Sequence, residues 1–228
     1  GPSRITQARS YHAGETEDLE TALAYIQSLT GHDELGAIGF SLGGNQLLKH
    51  LGARGADSPI KAGVSISAPF NLAACSEHLS QGFNRLYTAI FLRSLKRKIK
   101  HHSDLLGRVC DVPTALAARD LEAFDNAIIA PMFGFRDARD YYDQSSCAGY
   151  LEAVDSPTLI IRAGDDPFMP KGTIPHGVIS MNPNLFGLFP PHGGHVGFID
   201  LRQAHPVAWA EDQSVVFVAQ VLAARRSL

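Results

Sequence analysis

Cysteine is scarce in this chain of 228 residues. The three thiols, Cys75, Cys110 and Cys147, are far apart in the sequence and form no C-x-x-C pair. An odd, scattered set fits a reducing compartment better than a disulfide scaffold or a cysteine zinc site, so a cytoplasmic location is expected. Long apolar runs are missing too. No window approaches the roughly 18 unbroken apolar residues of a membrane-spanning helix, and GPSRITQARS at the start lacks the charged-then-apolar layout of a signal peptide. Charge of one sign is also lacking. A formal net charge of -3 and a pI near 6.4 give no global pull toward nucleic acid or an anionic surface. No internal repeat or low-complexity segment occurs.

What is present is ordinary globular material, 45% hydrophobic and 19% charged, in a length that suits one sizeable core. Thr16, followed by Glu17 and Asp18, reads as a helix start with a capping hydroxyl. Leu19, Leu23, Ile26 and Leu29 recur at helical spacing, and Gly31 closes the run. GAIGF reads as a short buried strand, NQLLKHLGARG as a helix with a glycine stop, and KAGVSISAP as a second strand closed by Pro69. PTLIIRAG and NLFGLFP read as two more strands and SVVFVAQVLAARR as a final helix. Such alternation predicts an α/β fold, a mostly parallel sheet flanked by helices.

Between Asn71 and Leu151 the pattern turns helical. The chain is therefore read as one domain, 1–228, with 71–151 as a helical insertion and candidate cap. Within it RSLKRKIKHH, Arg93 to His102, is read as a helix with Leu92, Leu95 and Ile99 inward and its lysines solvated. A patch for acidic lipid head groups is the alternative. Phe83, Leu86, Ile90 and Phe91 are read as ordinary core, although they would also suit an apolar pocket.

The chemistry lies elsewhere. Gly39-Phe40-Ser41-Leu42-Gly43 fits G-x-S-x-G, a nucleophile elbow placed between a predicted strand and a predicted helix. Glycines at 39 and 43 are expected to relieve collisions across the sharp turn, and Leu42 would offer its backbone N–H to an oxyanion. A plain glycine-rich turn has the same letters. A serine hydroxyl needs a base, and the base needs an acid to hold its tautomer. PTLIIRAG runs into Asp165-Asp166-Pro167, and NLFGLFP runs into His192-Gly193-Gly194-His195, so both partners follow in the order this elbow requires. The H-x-x-H spacing also raises metal ligation, but no H-E-x-x-H helix supports it. No metal or cofactor is expected.

The segments YHAGETEDL, GFSLGGNQLLKHLG, SAPFNLAACSEHL, FDNAIIAPMFGFRDARDYYDQSS, PTLIIRAGDDPFMP and HGGHVGF together resemble the YheT-like α/β-hydrolases, a family related to the eukaryotic α/β-hydrolase-domain esterases and phospholipases. The resemblance covers nearly the whole chain. It implies a serine ester hydrolase with Ser41 as nucleophile, His195 as general base and Asp166 as the acid. Asp165 is the second choice for that acid, and His192 a supporting loop residue. The substrate it implies is a small-molecule or lipid ester, with no nucleic-acid partner. Thioesterase and lipase chemistry use the same triad. The family also carries strands and an HG-type oxyanion loop ahead of its YHAGETEDL-like segment, and nothing before Tyr11 matches them. A partial α/β-hydrolase fold is therefore expected, with an apolar sheet edge, a tendency to aggregate and weak esterase activity. The reading from another class is a non-catalytic binding or scaffold module.

Overall fold

The computed structural model describes residues 11–202 and 205–227. In chain order its first elements are α1 (Glu17–Thr30), β1 (Leu35–Phe40), α2 (Leu42–Arg54), β2 (Ile60–Ile66), α3 (Leu72–Leu79), α4 (Arg85–His101) and α5 (Ser103–Leu106). There follow α6 (Val112–Ala117), α7 (Leu121–Ala127), α8 (Ile129–Phe133), α9 (Ala138–Ser145), β3 (Thr158–Ile161), α10 (His176–Met181) and β4 (Leu185–Leu188). The chain closes with β5 (Ile199–Arg202), β6 (His205–Ala208) and α11 (Trp209–Arg225). It divides into two compact units, one built on Asn71–Ser145 and one on Ala13–Phe70 with Ser146–Leu228. Among the described residues no helix is long and apolar enough to cross a membrane.

The second unit holds a parallel four-stranded sheet in the order β1-β2-β3-β4, as the strand–helix alternation predicted. A strand covered on both faces must be apolar on both, and every residue of β3 is buried. Ile160 packs with Leu47, Leu48 and Leu51 of α2, while Leu159 and Ile161 face the other cluster, which α11 joins through Phe217 and Val218. Burying one such aliphatic side chain stabilises by about 1.5–3 kcal/mol. Among the described residues β1 pairs with β2 alone. Its burial is uneven, with Ile38 40% and Phe40 38% exposed, so among the described residues β1 is a partly apolar edge of the sheet.

Three local expectations change. Thr16 is the residue before α1, but its hydroxyl makes no cap bond; the Glu15 carboxylate accepts the Glu17 N–H instead, at 2.9 Å. The last helix begins at Trp209, five residues before the SVVFV run, because Glu211 and Asp212 supply an acidic first turn. A two-stranded antiparallel ribbon, β5 with β6, follows the histidine loop where the sequence pattern predicts no strand.

The first unit contains no strand among its described residues. Side-chain caps set its helix starts: Asn71 accepts from Ala74 N at 2.9 Å, Asp111 from Thr114 N at 3.1 Å and Asp120 from Ala123 N at 2.8 Å. α4 packs against α3, α6 and α7, burying Leu92 and Ile99 as the periodicity required, with Leu95 half-buried. Phe83, Leu86, Ile90 and Phe91 are not core. They are 75%, 53%, 56% and 37% exposed. In the same unit the half-buried Asp125 accepts from Tyr142 Oη at 2.7 Å. Burial pushes the Asp125 pKa up to about 7, against the opposing effect of that hydrogen bond.

Candidate active site

The elbow begins where β1 ends. Ser41 has φ 51 and ψ -118, a region that costs a non-glycine residue about 1–3 kcal/mol. The turn is held by Ser41 N donating to the Ile66 carbonyl at 2.8 Å and by Asn45 N donating to the Ser41 carbonyl at 3.1 Å. A Cβ on Gly39 would run into the Gly43 carbonyl, so that glycine is required as expected. Gly43 is different, since a Cβ there meets nothing within 4 Å. The second constrained glycine is Gly44, where a Cβ would sit 2.7 Å from Ser65 Oγ. Ser41 precedes α2 without spending its hydroxyl on a cap. Leu42 opens that helix, whose first-turn N–H groups have no intrahelical acceptor.

The structure brings three of the sequence-selected side chains together. His195 Nε2 lies 2.9 Å from Ser41 Oγ, and His195 Nδ1 lies 2.8 Å from Asp166 Oδ2. The Asp166 side chain is 1% exposed and that of His195 13%. Asp166 is fixed in turn, because its Oδ1 accepts from Phe168 N at 2.9 Å. The Phe168 ring lies against the imidazole, with centroids 4.5 Å apart. Phe168 carried no sequence signal beyond its place after the DDP turn.

The two neighbouring carboxylates face different tasks. Asp165 Oδ1 accepts from Gly193 N and Gly194 N, both at 2.9 Å, and Oδ2 lies 3.2 Å from His192 Nδ1. Asp165 therefore grips the backbone of the loop that carries His195. The Gly194 N–H, and after it the His192 ring and the Gly193 N–H, hold the Asp165 pKa below the usual carboxylate range. His192 points to Asp165 and His195 to Asp166, so the H-x-x-H pair does not converge. Among the described residues no group of three or more His, Cys, Asp or Glu could hold a metal ion. Below the loop, Phe198 N donates to the Gly193 carbonyl at 2.9 Å, and the Phe198 ring would strike any Cβ on Gly193. Arg162, buried at the end of β3, fixes the other loop by donating to Thr173 Oγ1 and the Pro170 carbonyl, each at 2.8 Å.

A second Ser–His–carboxylate grouping lies under α2. His50 Nε2 is 3.0 Å from Ser58 Oγ, and His50 Nδ1 is 3.7 Å from Glu20 Oε1. Its chemistry is closed off, because His50 is 1% and Ser58 0% exposed. Ser58 Oγ also accepts from Ile60 N, and Arg54 holds Glu20. Burial lowers the His50 pKa, which keeps it neutral as a packing element. The Ser41 grouping differs in its strained turn and its half-open histidine.

Comparison with known proteins agrees with this architecture. The chain is 41% identical over 209 residues to the Escherichia coli (strain K12) protein named "Putative esterase YheT", covering 90% of this chain and 61% of that protein. It is 33% identical to Phospholipase ABHD3 of Homo sapiens, over 84% of this chain and 47% of that one. The chain thus spans about half to three fifths of the length of these relatives. Among solved structures, an alpha/beta fold family hydrolase from Bacillus anthracis str. Sterne aligns with a TM-score of 0.53 at 15% identity, covering 93% of this chain and 76% of that one. The Pyrococcus furiosus esterase Pf2001 aligns with a TM-score of 0.52 at 16% identity, covering 93% and 64%. At such identities the two structures speak for the fold alone. The family model of the alpha/beta hydrolase fold matches residues 1–200, and the chain belongs to that family.

Proposed function

We propose that the chain is a serine hydrolase of carboxylic esters that works through Ser41, His195 and Asp166 by way of an acyl-enzyme. The observation that carries this reading is the continuous chain of contacts from Ser41 Oγ through both imidazole nitrogens to Asp166 Oδ2. The strained elbow and relatives named esterase and phospholipase support it. In this mechanism His195 Nε2 takes the Ser41 proton as Oγ attacks the ester carbonyl carbon, and the Leu42 N–H stabilises the oxyanion. The tetrahedral species collapses as His195 returns the proton to the leaving alcohol. Water then attacks the acyl-enzyme with His195 again as base, releasing the acid and restoring Ser41. Asp166 keeps the proton on Nδ1 and stabilises the imidazolium.

A fluorophosphonate probe together with a panel of p-nitrophenyl esters and thioesters tests the proposal. Labelling and ester turnover should both occur, and Ser41→Ala and His195→Ala should each lower turnover by roughly a thousandfold or more. A folded sample that neither labels nor turns over ester would overturn the reading in favour of a binding or scaffold module. Preference for thioesters would move the substrate class without moving the residues.

A further inference from the structure

The helical unit carries a surface that the hydrolytic site does not use. Along α4, Leu86, Ile90, Arg93, Arg97 and Lys100 follow at spacings of three and four and form one stripe, every member exposed. Its first half is apolar and is extended by Phe83 in the turn before the helix, 75% exposed. Its second half is cationic. The helix also carries Arg85, Lys96 and Lys98 and has no Asp or Glu, in a chain whose net charge is -3. The opposite side of α4 anchors it through Thr88, Leu92 and Ile99.

Next to the stripe lies an open cleft of about 740 Å³, lined on the α4 side by Arg85, Arg93 and Lys96 and on the far side by Ala118 and Arg119. Lys96 Nζ donates to the Ala118 carbonyl, which holds its charge in the cleft. The acid there, Asp120, is engaged in capping α7 through Ala123 N. Cations beside an exposed apolar ridge, without acids on the helix, complement one kind of surface: anionic head groups over acyl chains.

We propose that α4 and its cleft dock the protein on an anionic lipid surface, with Phe83, Leu86 and Ile90 entering the acyl boundary and Arg85, Arg93, Arg97 and Arg119 meeting lipid phosphates. The inference is independent of the hydrolytic reading, and Ser41→Ala protein serves for the test because it leaves the vesicle lipids intact. Co-sedimentation is measured with vesicles of phosphatidylcholine alone and of phosphatidylcholine mixed with phosphatidylglycerol, at low and high salt. Binding should require phosphatidylglycerol and be lost at high salt. Arg93→Glu with Arg97→Glu should weaken it by about tenfold or more, and Leu86→Ser with Ile90→Ser by a similar factor, with circular dichroism unchanged. Lys100→Glu alone, in the last turn, gives a smaller loss and serves if a double variant fails to fold.

Equal binding to neutral vesicles, or binding to neither kind, overturns the proposal. So does charge reversal without effect. Loss with charge reversal but not with the serine pair would mean a soluble-anion contact, and concentration-dependent self-association abolished by the same variants would mean a second copy of the chain; either result also overturns it.

Discussion

Ser41 and Asp165 show how much of the candidate site is set by backbone rather than by side-chain identity. Ser41 is held in a left-handed turn by hydrogen bonds at its N–H and carbonyl, and Asp165 holds the histidine loop by two glycine N–H groups. The adjacent carboxylates should therefore fail differently. Asp166→Asn removes the charge facing His195 Nδ1 and should lower kcat by about ten thousandfold. Asp165→Ala loosens the loop, and a displacement of about 1 Å is worth roughly a hundredfold in kcat with KM little changed. Asp165→Asn should recover part of that loss, because an amide oxygen still accepts both N–H groups. Steady-state kinetics on one ester separates the three variants, and equal losses for Asp165→Ala and Asp165→Asn would sink the clamp. The depressed Asp165 pKa makes its contribution to stability present above the unfolded carboxylate value, and that contribution is lost as pH falls through the folded one.

At the scale of elements, the strands and helices that build the site were legible because each is a short apolar run ended by glycine or proline. GAIGF, KAGVSISAP, PTLIIRAG and NLFGLFP all became strands of the sheet. The β5–β6 ribbon was not, because Pro206 and the missing turn dipeptide gave no hairpin signal. Ser41, His195 and both aspartates could be selected from the string, and the resemblance already preferred Asp166 to Asp165 as the partner of His195. The grip of Asp165 on the Gly193 and Gly194 N–H groups could not be read, since it depends on which way two neighbouring carboxylates point. The exposure of Leu86 and Ile90 was equally hidden, because a periodic pattern does not say which partner a face has. Asp125, at the end of α7 and bonded to Tyr142 of α9, makes a prediction at this scale. With a folded pKa of about 7, above the unfolded value, it favours the protonated form. Stability should fall as pH rises from about 4 through about 7 and then level off. Asp125→Asn keeps an acceptor for Tyr142 and cannot ionise, so it should gain up to about 4 kcal/mol over wild type near pH 8. Thermal melts of both proteins between pH 5 and 8 decide it, and parallel slopes would contradict the assignment.

For the molecule as a whole, Ser41 follows β1, Asp166 follows β3 and His195 follows β4, so the constellation stretches from one edge of the parallel sheet to the other. Its members are not equally secured. Asp166 and His195 stand on loops braced by Arg162, Asp165 and Phe198. Ser41 stands at the end of a strand that, among the described residues, has a ladder on one side only. Opening free energies in a native protein run from near zero at such margins up to the global value in the core. In hydrogen exchange, the amides of Gly36–Phe40 should therefore lose protection before those of Val64–Ile66. On slow heating, probe labelling at Ser41 should vanish before the sheet melts, so the protein would age by losing the alignment of Ser41 with His195 while most of its fold still stands.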